Sequence, residues 1–386
     1  MLLLLLFSLI TATCFTQSVL EKLNKALVTA GYENVRVTQA GGVVFVSLED
    51  NIYSWNVTGI CSIADTLLSC IEHTPVSMVM LDKGIPQIRI DIEPSSEKFP
   101  LNISVSYDTN EPWSKLKNIP PCNPPENKID VVVYPQFTLQ NTLLSQIYEV
   151  QLNLAPAVEI SLWKGMLFTG QVIFPLKNDL GYEGDFIRPG FVTLTQNFRL
   201  PHAWFARASI GNFNASRYGA DICLNHPLPG NHWNIGGNAG LTGSSHFYEG
   251  EWITGELNTL TWFAKAGYYY PEFDLQFDLG FGCFLNHDYG FRADCTRHFG
   301  ATTVGFYATY THGHTNGGFH FSAPLPPFKR NRRHAVRLVP AKYFDWEYNA
   351  GTEFYYGRYY ETRPNENRSE HWINPLFLKN EILKTK

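Results

Sequence analysis

The sequence predicts a mainly β protein: an up-and-down antiparallel transmembrane β-barrel of about twelve strands, preceded by a small α/β domain. Three observations predict it. First, Phe273–Leu285 reads FDLQFDLGFGCFL, with Phe273, Leu275, Phe277, Leu279, Phe281, Cys283 and Leu285 on odd positions and Asp274, Gln276, Asp278, Gly280 and Gly282 on even ones. Strand side chains alternate faces, so this is one strand with an oily face and a polar, glycine-bearing face, long enough for the ~9–11 residues of a tilted bilayer-spanning strand. Second, similar segments recur from Tyr148 to Tyr360, almost all joined by short Gly, Asn, Asp or Pro turns. Third, only 17% of the 386 residues are charged and 15% are aromatic, against ~25% charged in soluble domains. The formal net charge of −5 argues against a nucleic-acid partner, which needs a basic face.

The elements follow in order. Residues 1–17 carry an apolar core, Met1-Leu-Leu-Leu-Leu-Leu-Phe-Ser-Leu-Ile, of signal-peptide length and too short to span as a helix. Cleavage falls just before Gln17, or Thr11-Ala-Thr-Cys14 serves as a lipoprotein site. Residues 18–120 form the small α/β domain. Leu20, Leu23, Ala26 and Leu27 share one helix face, and Gly31 stops that helix. Strands follow at Asn34–Thr38 and Val43–Glu49 around Ala40-Gly41-Gly42, then a helix near Ile60–Cys70. Strands Val76–Asp82 and Ile85–Ile92 turn at Asp82-Lys83-Gly84. Residues 121–146, opening with Pro120-Pro-Cys-Asn-Pro-Pro125, read as a stiff connector. The barrel takes 147–360, with Trp346–Tyr360 as the last strand segment, and 361–386 is a charged tail. Ending in Glu381-Ile-Leu-Lys-Thr-Lys386, the chain departs from barrels that close on a C-terminal aromatic. Tyr268-Tyr-Tyr270, Tyr355-Tyr356 and Tyr359-Tyr360 sit near strand ends, where interfacial girdles belong.

Export permits disulfides, but the spacings offer none. Cys61 and Cys70 lie ~13 Å apart along a helix, beyond disulfide reach. In the hairpin near Asn286-His287, opposed residues sum to about 573, which sets Cys283 against Gly290 and away from Cys295.

Leu20-Glu-Lys-Leu, Ala30-Gly-Tyr-Glu-Asn-Val-Arg-Val and Val46-Ser-Leu-Glu-Asp-Asn-Ile-Tyr-Ser-Trp-Asn resemble the opening strands of the YjbH/GfcD-type exopolysaccharide-biosynthesis family. Gly211-Asn-Phe-Asn-Ala-Ser-Arg-Tyr-Gly-Ala-Asp and Pro227-Leu-Pro-Gly-Asn-His-Trp-Asn-Ile-Gly-Gly are similar to its barrel texture. The resemblance implies an outer-membrane barrel of a Gram-negative bacterium with a periplasmic α/β module. It implies a role in capsule or exopolysaccharide secretion, with exported polysaccharide, outer-membrane lipid and other secretion components as partners. It supplies no catalytic motif.

No catalytic, metal or cofactor site is expected. Paired carboxylates suggest a glycosidase, but Asp274 and Asp278 stand ~13 Å apart by strand rise, as do residues i and i+4 generally. By strand parity Asp274, Asp278, Arg292, Asp294 and His298 line a lumen. His312-Gly-His314 with His320 offers imidazoles for a metal, or simply a solvated turn. Lys329-Arg330-Asn331-Arg332-Arg333 follows Pro324-Leu-Pro-Pro327 and reads as a basic loop, solvated or meeting an anionic glycan at the barrel mouth. The expectation is a non-enzymatic barrel that secretes polysaccharide as conduit or docking platform. The alternative is a soluble secreted all-β carbohydrate-active or carbohydrate-binding protein with its oily faces packed inside.

Overall fold

The structure, a computed structural model, describes residues 19–71, 74–93, 102–141, 148–351, 355–366 and 373–385; the expected signal peptide and Cys14 lie outside them. The chain divides into two units, one running to Pro125 and joined by Pro375–Lys386, the other Glu126–Asn374.

The first unit is a five-stranded sheet in chain order: β1 (Glu33–Ala40), β2 (Val43–Glu49), β3 (Val76–Asp82), β4 (Ile85–Ile92) and β5 (Ile103–Ser106). Helix α1 (19–30) buries Leu23 and Leu27, and Gly31 at φ 105° ends it, as expected. Gly41 and Gly42, both at positive φ, make the two-residue turn from β1 to β2. β2 and β3 are parallel, so they need a crossover, which α2 (Asn56–Cys70) provides. Ile63, Ala64 and Leu67 of α2 are fully buried, as are Val46, Leu48, Met78 and Ile90 of the sheet. Phe45, Val79 and Leu81 pack with Leu116 of α3 (Asn110–Leu116). A sheet covered on both faces reads as a continuous apolar run, which is what Val76-Ser-Met-Val-Met-Leu is. Helix α4 (Pro375–Lys384) buries Phe377, Leu378 and Ile382, so the residues expected as a tail include a helix of this unit.

The second unit is one large sheet. It comprises β6 (Ile129–Asn141), β7 (Tyr148–Trp163), β8 (Met166–Asn178), β9 (Arg188–Leu200), β10 (Trp204–Phe213), β11 (Arg217–Pro227) and β12 (Trp233–Tyr248). A short β13 (Glu251–Thr254) folds back on β12. Then come β14 (Thr259–Tyr270), β15 (Leu275–Cys283), β16 (Tyr289–Phe299), β17 (Thr302–Thr311), β18 (His314–Pro324), β19 (Val336–Pro340) and β20 (Tyr343–Asn349). From β6 to β18 each strand pairs antiparallel with the next, β13 excepted. β20 continues that pattern on β18, whereas β19 pairs with β6 in parallel. The ends of the ladder are therefore β19 and β20, separated only by Ala341 and Lys342. Those two residues are hydrogen-bonded on both sides: Ala341 N donates to Val133 O (2.8 Å), and Leu325 N donates to Lys342 O (2.9 Å). Phe137 of β6 lies 5.4 Å from Trp346 of β20, between ring centroids.

Four expectations are corrected. The connector 121–146 contains β6, a thirteen-residue strand of the large sheet, and Cys122 bridges back to Val35 of β1. Val131-Val-Val133 masked β6 in the sequence because it breaks the alternation. The Phe273–Leu285 strand is Leu275–Cys283, since Asp274 sits at φ 50° in a turn. Trp346–Tyr360 is not one strand: β20 ends at Asn349. In the β15–β16 hairpin Cys283 meets Tyr289 and Gly282 meets Gly290, one residue from the expected register, because Phe284–Asp288 is a five-residue turn. Among the described residues all six cysteines are free.

The large sheet has one exposed, mainly apolar face and one buried, mainly polar face. Along β17, Val304, Phe306, Ala308 and Tyr310 are exposed, Phe306 by 66%, while Thr303, Gly305, Tyr307, Thr309 and Thr311 are buried. On β15, Phe277, Leu279 and Phe281 are exposed, Leu279 by 57%, and Gly280 and Gly282 are buried. A side chain at either glycine would collide with the Phe263 ring of the neighbouring strand, which explains the glycines on the polar face. A soluble sandwich needs the opposite arrangement, with the oily faces packed.

Candidate functional site

The buried face of the sheet carries charge, and charge taken from water must be paired. Arg292 on β16 solves this twice over. Its Nε and Nη2 meet Asp294 at 3.0 and 3.1 Å, and its Nη1 and Nη2 meet Glu347 of β20 at 3.2 and 2.9 Å. The planar guanidinium suits two bidentate carboxylates, and its carbon lies 4.1 Å from the centroid of the Tyr307 ring. His320 Nε2 is 3.7 Å from Asp294. One strand away, Asp278 stands opposite Asp294 in register and accepts from Gln276 Nε2 at 2.7 Å. His298 Nε2 is 3.1 Å from Gln276 Oε1. Four of the five expected interior residues, Asp278, Arg292, Asp294 and His298, thus share one polar face. Asp274, in the turn before β15, instead accepts from Tyr269 Oη at 2.7 Å.

Sequence parity does not reach the second half of the site. Residues 355–366 follow β20 and run across the polar face. Gly357 N donates to Asp288 Oδ2 (2.7 Å), and Asp288 also accepts from Thr311 Oγ1 (2.8 Å). Tyr359 Oη donates to Glu347 (3.2 Å), and its ring lies 5.2 Å from the Arg292 guanidinium carbon. Tyr360 Oη donates to Asp221 of β11 (2.9 Å) while its ring stacks on Phe213. Glu361 N donates to Asn214 Oδ1 (2.6 Å), and Glu366 pairs with Arg207 of β10. Asn365 Nδ2 donates to Tyr343 O (3.2 Å) and Asn374 Nδ2 to Asn231 O (2.9 Å). Tyr359 and Tyr360, expected in an interfacial girdle, therefore lie on the interior side, and Tyr269 is buried. Alternation sets Asp221 opposite Tyr218, Ala220, Ile222 and Leu224 but cannot supply its partner Tyr360, and Asp288, Glu347, Arg207 and Glu366 were missed because their partners lie far along the chain.

The basic run is not a uniform solvated loop. Arg330 is 4% exposed and donates to Ala341 O (2.6 Å), and Arg332 pairs with Asp130 of β6 (2.6 Å), as does Arg337 (2.7 Å). These arginines hold the junction of β19, β20 and β6. Lys329 and Arg333 are exposed. The histidines separate likewise: His312 and His314 stack on Tyr356, with centroids 5.1 and 4.7 Å apart, while His320 lies by Asp294. Among the described residues no group of three or more His, Cys, Asp or Glu is placed to hold a metal ion.

No family model matches the chain, and no curated protein matches it.

Proposed function

We propose that this chain is an outer-membrane β-barrel of a Gram-negative bacterium that takes part in polysaccharide secretion, as a docking platform for the exported chain and for periplasmic components. The observation that carries the membrane reading is the inverted strand pattern: long strands with exposed Val, Leu, Ile and Phe outside and buried Thr, Asp, Arg and His inside. Water outside would leave those apolar faces uncovered, whereas lipid covers them. Exposed aromatics at strand ends support it, with Trp163, Trp233 and Phe299 at one end and Tyr148, Tyr289 and Tyr310 at the other. Closure follows when residues 336–349 are taken as one strand broken at Ala341-Lys342, its first half on β6 and its second on β18. The wall then has thirteen strands, seven from β6 to β12, five from β14 to β18 and this composite last one, with a parallel seam. The polysaccharide role rests on the sequence resemblance alone. A platform is favoured over an open conduit because 355–366 crosses the interior.

In the test, cells expressing the chain are fractionated, and the protein is run with and without boiling in mild detergent. Outer-membrane recovery with heat-modifiable migration is expected, and clean release with the periplasm would discard the barrel. Deleting the gene should abolish surface polysaccharide; undiminished polysaccharide would remove the secretion role and leave the barrel standing.

A further inference from the structure

We propose that residues 355–366 are a plug latched across the barrel interior by polar contacts, and that it restricts an aqueous path which opens when the latch is broken. This rests on the barrel reading above and specifies the state of its interior.

Two facts place the segment inside. Its partners include Arg207 on β10 and Glu347 on β20, eight places apart along the order of the sheet. Tyr359 and Glu366, which make those contacts, are seven steps apart and span at most about 25 Å, whereas eight strand spacings of about 4.8 Å come to about 38 Å, so the segment reaches both only by crossing the space the sheet curls around. It also runs from one end of the strands to the other. Gly357 binds Asp288 in the turn after β15, whereas Asn365 binds Tyr343 at the start of β20. That direction follows from parity. With an odd number of strands, the wall starts at Ile129 and finishes at Asn349 on opposite ends, so a segment that follows β20 and binds at the Tyr343 end runs back along the strands.

The latch chemistry differs from that of the wall. The wall is held by continuous ladders. The segment is held by side-chain bonds, the bond from Leu285 N to Arg358 O, the Glu366–Arg207 ion pair, and stacks of Tyr360 on Phe213 and of Tyr356 on His312 and His314. Polar groups released from such bonds regain partners in water, so each bond contributes little net hold. Tyr359 keeps an exposed edge, so space remains beside it. The wall is shaped to admit the segment: Gly240 on β12 has no side chain where one would run into the Tyr360 hydroxyl.

The experiment uses full-length protein in planar bilayers of phosphatidylcholine, in potassium chloride solution. Two variants break different latches. Gly240→Leu wedges Tyr360 away from Asp221, and Glu366→Gln removes the ion pair to Arg207. Both are expected to show larger unit conductance than the unaltered protein, which is silent or conducts in small steps. Equal conductance in all three overturns the plug, as does silence of both variants after insertion. Only protein with heat-modifiable migration is used, so failure of the barrel reading shows beforehand as absence of that migration.

Discussion

Glu49 illustrates at single-residue scale what burial of a carboxylate does. It is 2% exposed, faces Glu33 across the β1–β2 register, and accepts from Asn34 Nδ2 (2.9 Å), Gly84 N (3.0 Å) and Asn51 Nδ2 (3.1 Å). Burial pushes its carboxyl above the ordinary value, and the Lys83 ammonium opposes that only in part. A raised value means that the folded state holds this proton more tightly than the unfolded chain does. The linked stability is complete below the unfolded value of about 4.3 and is lost as pH rises through the folded value. Glu49→Gln removes the charge, so its denaturation midpoint should fall less between about pH 4 and about pH 7 than the parent's. Urea titrations followed by tryptophan fluorescence, with the part of the signal lost in Trp113→Phe taken as that of this unit, measure this; identical slopes would show that Glu49 does not set the dependence. Other single residues were legible to different degrees. Parity alone placed Asp278, Arg292, Asp294 and His298 on one face. It could not supply Glu347 or Tyr359, because strand periodicity says nothing about which distant segment folds back onto that face.

At the scale of the strand, the oily face makes the sharper claim. Leu279 lies in the middle of β15, flanked on its own face by exposed Phe277 and Phe281. In the proposed barrel it meets hydrocarbon near mid-depth. Leu279→Arg should therefore cost roughly 2–4 kcal/mol of folding stability in lipid vesicles. The same change at the strand-end residue Phe299 should cost about 0–1 kcal/mol. Equal and small costs at both sites would mean that neither touches lipid. Alternation made β7, β15 and β17 readable because one face differs from the other all along them. β6 was hidden because Ile129-Asp-Val-Val-Val-Tyr134 does not alternate. The first unit was readable through its turns, with Gly41-Gly42 and Lys83-Gly84 at positive φ where a two-residue turn demands it. Helix α4 escaped because it joins that unit from the far end of the chain.

The whole molecule adds a sidedness that no single strand specifies. Apart from the stretch 325–335 between β18 and β19, the turns at one end of the large sheet are five residues or fewer, as at Lys164-Gly165 and Gly300-Ala301. At the other end the chain makes longer excursions, at 179–187 and through the β13 hairpin. Outer-membrane barrels keep short turns on the periplasmic side and long loops outside. The chain enters β6 at Ile129, at that same short-turn end, so in the proposed barrel the wall begins on the periplasmic side. In the proposed barrel an odd strand count puts the two ends of the wall on opposite membrane faces, so residues 355–366, which bind at both ends of the strands, run back through the interior. Trp252 on β13 and Phe273 in the β14–β15 turn are exposed reporters of the two ends. Treated on intact cells with a membrane-impermeant maleimide, Trp252→Cys should label above the parent's background and Phe273→Cys should label only after the outer membrane is opened. The reverse pattern would put the Ile129 end of the wall on the cell surface. Labelling of both on intact cells would mean that the sheet separates no compartments, and the barrel would fall with it.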